Sequence, residues 1–254
     1  MRRLPLLAML AALAAGCRRE AAPPELVSTE RMSTGPVSTG EAPTEAASVE
    51  APALAVPEPE LPPPASHYMG REIATTMHWR GADWLLRETR EDEEHASRLL
   101  EALDVRPGST VADFGCGAGF HTLRLAERTG PAGRVLAVDI QPEMLELLQE
   151  RLATAGVENV VTVLNGPADP GLAEGSCDLI LLVDVYHELA YPARTLAGLR
   201  RALRPGGRLA LVEFRAEDPA VPIKPVHKMS KAQARAELEA NGFRLVGSFD
   251  GLPW

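Results

Sequence analysis

Asp113-Phe114-Gly115-Cys116-Gly117-Ala118-Gly119 sets one acid and three glycines in the pattern D-x-G-x-G-x-G. Glycines at this spacing let the chain turn tightly and bring its backbone close to a ligand. A helix that starts at the loop points free N–H groups and partial positive charge at that ligand, which is then an anion. Loops that hold a pyrophosphate carry G-x-G-x-x-G. Here the third glycine comes one residue early, which favours a small carboxylate. Asp139 stands 20 residues beyond Gly119. An acid at the end of a second strand can accept hydrogen bonds from both hydroxyls of a ribose. The other reading of Asp139 is a cap for a helix beginning near Pro142. A third group is Val183-Asp184-Val185-Tyr186-His187-Glu188. His187 could take a proton from a nucleophile near neutral pH, with Tyr186 as a second catalytic candidate. A structural, hydrogen-bonding histidine is the alternative.

These residues need a frame, and the apolar pattern supplies one. Strands are expected at Thr110 to Phe114, Arg134 to Val138, Val160 to Leu164, Asp178 to Val185, Arg208 to Phe214 and Phe243 to Phe249. Helices are expected at Glu91 to Leu103, Phe120 to Arg128, Pro142 to Ala155, Pro192 to Leu203 and Ser230 to Asn241. Tyr68 to Arg90 predicts one or two short helices. Pro142 suits a first helical turn, where a missing N–H costs nothing. The alternation implies an α/β fold, a Rossmann-like, doubly wound, mostly parallel sheet with helices on both faces. Ligands of such sheets sit beyond the carboxyl ends of the strands. Asp113, Asp139 and Asp184 all fall there.

The rest of the chain divides by composition. Arg2-Arg3 is a basic start, and Leu4 to Ala15 is an apolar run too short to span a bilayer as a helix. Residues 1–17 therefore read as a signal peptide. Leu13-Ala14-Ala15-Gly16-Cys17 resembles a bacterial lipoprotein box, which implies lipidation of Cys17, export and anchoring in the cell envelope. A cytoplasmic protein with a misread start codon is the alternative. Residues 18–66 are Pro, Ala, Glu, Ser and Thr without apolar period, a tether that cannot offset its own ordering entropy. Residues 67–254 form the domain. The net charge of −9 excludes the basic footprint of a nucleic-acid binder. Cys116 and Cys177 fall at opposite ends of their strands, too far apart to bridge. The six histidines lack ligand spacing, so no metal site is expected.

Val111 to Phe120 resembles the first motif of class I S-adenosylmethionine-dependent methyltransferases, and Val135 to Ile140 the second. Leu203-Arg204-Pro205-Gly206-Gly207-Arg208-Leu209 resembles the turn before their fifth strand. The likeness covers about His67 to Trp254 and is nearest to the ubiquinone/menaquinone C-methyltransferase group. It implies S-adenosyl-L-methionine as cofactor and a small-molecule or lipid-like acceptor. It implies that Asp113 orients the methionine amino group and that Gly115, Gly117 and Gly119 carry the loop. Asp139 and Ile140 then meet the ribose side, and Met144 packs on adenine unless it is ordinary core. Asp169 would recognise the adenine amino group, and Asp184 would border the cofactor. Tyr68, Arg71, Met77 and Trp84 would shape the acceptor pocket, or else form a packed helix pair. Amino-methyltransferases of nucleic acid carry a Pro-Pro-aromatic motif where Asp184 stands, and it is absent. An NAD-dependent oxidoreductase is disfavoured by the glycine spacing and by the lack of a Tyr-x-x-x-Lys pair. A tethered nucleoside-binding module without catalysis is the remaining alternative. The sheet of this family has seven strands, the last antiparallel between the fifth and sixth. This sequence stops where that strand should begin, so the strand is expected to be missing.

Overall fold

Leu179-Ile180-Leu181-Leu182 is buried on every side chain, at most 3% exposed. A strand apolar on both faces belongs in the middle of a covered sheet. The computed structural model describes the backbone of Met9–Ala14 and residues 60–253. In chain order the elements are β1 (Met9–Ala14), β2 (His67–Tyr68), β3 (Arg71–Glu72), α1 (Ala82–Leu85), α2 (Arg90–Glu94), α3 (Ala96–Leu103), β4 (Thr110–Phe114), α4 (Phe120–Thr129), β5 (Arg134–Asp139), α5 (Pro142–Ala155), β6 (Val160–Leu164), β7 (Cys177–Val183), α6 (Pro192–Ala202), β8 (Leu203–Arg215), β9 (Lys228–Met229), α7 (Lys231–Ala240) and β10 (Leu245–Gly247). Residues 18–63 are a separate unit, described only over 60–63 and without helix or strand there.

The main sheet runs β10-β1-β8-β7-β4-β5-β6, with β9 beside the end of β8. β4 pairs in parallel with β5 and β7, β5 with β6, and β7 with β8. The chain thus winds outward from β4 to β6, then returns to the other side of β4. The crevice at that reversal is where doubly wound sheets bind ligands. Side chains of β7 alternate between two cores. Ile180 and Leu182 meet Leu196 and Leu199 of α6 and Leu238 of α7. Leu179 and Leu181 meet Leu99 and Leu103 of α3 and Leu125 of α4. Each such burial contributes about 1.5–3 kcal/mol.

Four local expectations are corrected. The antiparallel strand between β8 and β10 is present, and Met9–Ala14 supplies it. An uncharged apolar run satisfies two neighbouring strand edges that would otherwise lack backbone partners. The helix expected over Glu91 to Leu103 breaks at His95, whose φ is 53°. The break lets α3 lay its leucines on the sheet while α2 turns Arg90 inward to Glu94 at 2.9 Å. The stretch before it holds a β2–β3 hairpin and a 3-10 turn at Trp79–Gly81 besides α1. The last strand shortens to Leu245–Gly247 because Phe243 turns into the core.

Candidate functional site

The loop between β4 and α4 is held open by its glycines. Gly115, Gly117 and Gly119 have φ of 75°, 52° and 84°, a region that L side chains avoid. Space forbids a side chain as well as φ. A Cβ on Gly117 would lie 2.9 Å from Leu85 Cδ1, and one on Gly119 would lie 2.3 Å from Leu148 Cδ1. The loop is clamped to the end of β5. Gly117 N–H donates to Asp139 Oδ2 at 2.8 Å, and Gln141 N–H donates to Oδ1 at 2.9 Å. Burial raises the Asp139 pKa, and these backbone donors hold it down. A carboxylate has about four acceptor positions, so capacity remains for two hydroxyls. The helix-cap reading of Asp139 fails, because Gln141 holds the cap position of α5 and the Asp139 carboxylate meets the Gln141 N–H, not an N–H of the first turn. Asp113 lies beneath the loop and accepts from Thr122 Oγ1 at 2.6 Å. Burial pushes its pKa up to about 6.

Above the loop is a cavity of about 600 Å³. Asp113, Gly115, Gly117, Asp139, Ile140, Met144 and Asp184 line it, and so do Met77 and Trp84. Gly119 does not; it sits behind the loop on α5. Asp169 is exposed and away from the cavity, and its Oδ1 accepts from Gly171 N–H at 3.1 Å. It stabilises its own turn instead of reaching a nucleobase; Asn165 and Pro167 line the cavity in its place. Tyr68 and Arg71 also lie outside. Asn241 Nδ2 donates to Tyr68 Oη at 2.7 Å, and Arg71 Nε and Nη2 reach Glu237 at 2.9 and 3.0 Å. Gln141 was not singled out by sequence, yet it ties the N-terminal segment down. Its amide accepts from Trp79 N–H at 2.8 Å and donates to Met77 O at 2.9 Å.

The end of β7 differs from expectation. Tyr186 is buried facing away from the cavity, its hydroxyl donating to Glu237 at 2.7 Å. Burial and the Glu237 charge push its pKa up, so it has no catalytic reach. His187 is also buried, with Nδ1 2.7 Å from Glu213 Oε2 and Nε2 2.9 Å from His227 Nδ1. Burial works against charging this ring. The Glu213 carboxylate, with Asp184 and Glu188, outweighs it and pushes the pKa up to about 9. With both nitrogens engaged, His187 has no free lone pair for a nucleophile, and its expected role as base gives way to holding its neighbours. Asp184 has φ of 56° and a buried Oδ1 without a hydrogen-bond partner. Burial and the Glu213 charge raise its pKa to about 7.

Glu213 and His227 were not anticipated as site residues. Glu213 did carry a signal: it is the one charge within Leu209-Ala210-Leu211-Val212-Glu213-Phe214. His227 carried none, because 40 residues separate it from His187. Among the described residues, His187, Glu188 and His227 come close enough to share an ion, as do Asp184, His187 and Glu213. Spacing along the sequence, from which no metal site is expected, does not show this gathering, because the chain brings His227 to His187 across 40 residues.

Residues 112–211 match the family model of a methyltransferase domain. A nocamycin O-methyltransferase of Saccharothrix syringae is 36% identical over 119 residues, 46% of this chain and 41% of that protein. A ubiquinone/menaquinone biosynthesis C-methyltransferase of Cupriavidus metallidurans is 31% identical over 151 residues, 59% of this chain and 54% of that one. The chain spans 41–42% of the length of such curated relatives as the nocamycin enzyme and an isoaspartate O-methyltransferase. A SAM-dependent methyltransferase from Aquifex aeolicus superimposes with a TM-score of 0.63 at 27% identity, covering 66% of this chain and 90% of that structure.

Proposed function

We propose that this chain, whose residues 112–211 form a methyltransferase domain with S-adenosylmethionine as its cofactor, transfers a methyl group to a small organic or lipid-like acceptor. The observation that carries the reading is the Asp139–Gly117 clamp at the floor of the cavity of about 600 Å³. The donor set fits that cofactor. Spare acceptor positions on Asp139 suit ribose hydroxyls, Asp113 suits an ammonium, and the exposed face of Ile140 with Met144 suits an adenine ring. The start of α4 suits a carboxylate.

Bound S-adenosylmethionine supplies an electrophilic methyl whose leaving group is a neutral thioether. The chain must then hold an acceptor in line and keep water out. Met77, Trp84, Leu85 and Leu189 give the cavity an apolar wall for both tasks. Such positioning is worth about 7–11 kcal/mol in favourable cases. The net charge of −9 speaks for a substrate other than nucleic acid. A lipid anchor at Cys17 is a separate proposal that rests on the sequence of residues 1–17 and applies only to molecules cleaved before Cys17, which lack Met9–Ala14; Cys17 lies outside the described residues. Mass spectrometry of the chain purified from its native membrane checks it, with a diacylglycerol adduct expected.

The reading is tested by calorimetry with S-adenosylhomocysteine on the full chain and on Asp139→Ala. Losing two hydrogen bonds to a charged acceptor costs about 3 kcal/mol or more, over a hundredfold in Kd. A folded wild type that fails to bind overturns the reading. Binding without turnover across a broad acceptor screen selects the non-catalytic module.

A further inference from the structure

We propose that His187, His227 and Glu188 form a site for one divalent transition-metal ion, on the wall of the same cavity that takes the cofactor. The three ligand atoms already stand as a coordination set. His187 Nε2 is 2.9 Å from His227 Nδ1, and Glu188 Oε1 is 3.8 Å from the first and 3.9 Å from the second. A point about 2.1 Å from all three atoms exists within that triangle, the bond length that Zn²⁺ takes with imidazole and carboxylate. Binding displaces the proton shared by His187 Nε2 and His227 Nδ1, which frees both nitrogens to ligate the ion.

The surroundings match those of a metal ligand. Glu213 Oε2 is 2.7 Å from His187 Nδ1. Ligating histidines characteristically have their far nitrogen held by a carboxylate, which fixes the ring and strengthens it as a donor. The His187 ring is immobilised by burial, and its backbone carbonyl accepts from Arg71 Nη1 at 3.0 Å. His227 ends the short 3-10 turn Pro225–His227. Glu188 and His227 both line the cavity, so a further coordination position faces its interior. Two imidazoles, one carboxylate and an open position are the donor set of catalytic zinc and of non-haem iron sites.

The use of the ion rests on the methyltransferase reading. An acceptor hydroxyl that takes the open position is acidified by the ion and loses its proton to solvent. The O–CH3 bond then forms as the S–CH3 bond breaks, and the thioether leaves neutral. This supplies the activation that His187, held by Glu213 at Nδ1 and by the ion at Nε2, does not. The substrate class is a small molecule with a hydroxyl able to ligate a metal.

The test uses the full chain stripped with a chelator and titrated with Co²⁺, followed by visible absorption, with Zn²⁺ as competitor. S-adenosylhomocysteine binding is measured in parallel by calorimetry. One equivalent of Co²⁺ should bind with the strong absorption of a four- or five-coordinate ion and be displaced by Zn²⁺. His227→Ala and Glu188→Gln, on partly exposed side chains, should each weaken it at least about tenfold. Glu213→Gln, which keeps the shape but not the charge, should weaken it by about 10–100-fold. A chain that binds S-adenosylhomocysteine but neither Co²⁺ nor Zn²⁺ overturns the proposal, as does Co²⁺ affinity unchanged in both His227→Ala and Glu188→Gln. Co²⁺ bound without S-adenosylhomocysteine upholds the ion site and removes the methyltransferase reading instead.

Discussion

Asp113 is buried against Thr122, yet in the proposed role it must be charged to receive an ammonium group. Burial holds its pKa at about 6 in the free protein. Its ordinary value is 3.8, so between these values the folded state binds a proton that the unfolded state has released. Stability from this group is therefore full below about pH 4 and is lost as pH rises through 6. Ligand binding runs the other way. The carboxylate is the binding form, so affinity for S-adenosylhomocysteine should fall about tenfold per unit as pH drops below 6. Calorimetry between pH 5 and 7 checks this. Asp113→Asn should bind more weakly throughout, and its acid limb should be shallower, with Asp139, Asp184 and Glu188 the carboxylates left to titrate in the cavity. Asp113, Asp139 and the loop glycines were legible because one strand, one turn and one helix carry them within a short stretch of chain. Local sequence states their geometry. Glu213 and His227 were not legible, because only the pairing of β7 with β8 and the return of the chain through Pro225–His227 bring them to His187. Asp169 misled for the opposite reason: an acid in the right loop found a backbone partner two residues on.

At the level of elements, the parallel strands and the long helices could be read directly from apolar periodicity, and the segment before β4 could not. Its pieces are two to five residues long before α3, too short for a period to appear. What holds them is distant in sequence. Arg71 of β3 meets Glu237 of α7 across 166 positions, and the same carboxylate accepts from Tyr186. Both charged side chains are almost fully buried, 9% and 0% exposed. Burial works against the Arg71 charge, and the Glu237 carboxylate outweighs it and raises the pKa. Removing one partner of such a pair leaves the other charge uncompensated, which costs about 3–5 kcal/mol. Glu237→Ala should show that loss in urea unfolding, and Arg71→Ala a comparable one. The double variant should lose less than the sum, because neither charge is then stranded. Additive losses would mean that the hairpin is held by something other than this pair.

For the molecule as a whole, the decisive strand is β1. Its six residues pair along β8 from Met9↔Glu213 to Ala14↔Arg208, and Ala12 and Leu13 also pair with β10. A sheet built on the residues after the tether alone would end at β8 and leave β10 without its neighbour. The sequence showed that such a strand was needed and offered Leu4 to Ala15 only as a leader, because an uncharged apolar run suits both a translocation signal and an inner strand. The two fates exclude each other within one molecule: cleavage before Cys17 removes β1, and a folded β1 keeps the run out of a membrane. Backbone hydrogen bonds contribute about 0.5–1.5 kcal/mol each, so losing several should lower stability by about 3 kcal/mol or more. In a domain of this size that corresponds to roughly 6–12 °C in Tm. Thermal unfolding of the full chain against a chain beginning at Cys17 measures it, both with and without S-adenosylhomocysteine. A drop of that size means that β1 is structural and that processing before Cys17 would leave a weakened sheet. Equal Tm values mean that β4 to β8 carry the fold unaided, which frees the first 16 residues for export.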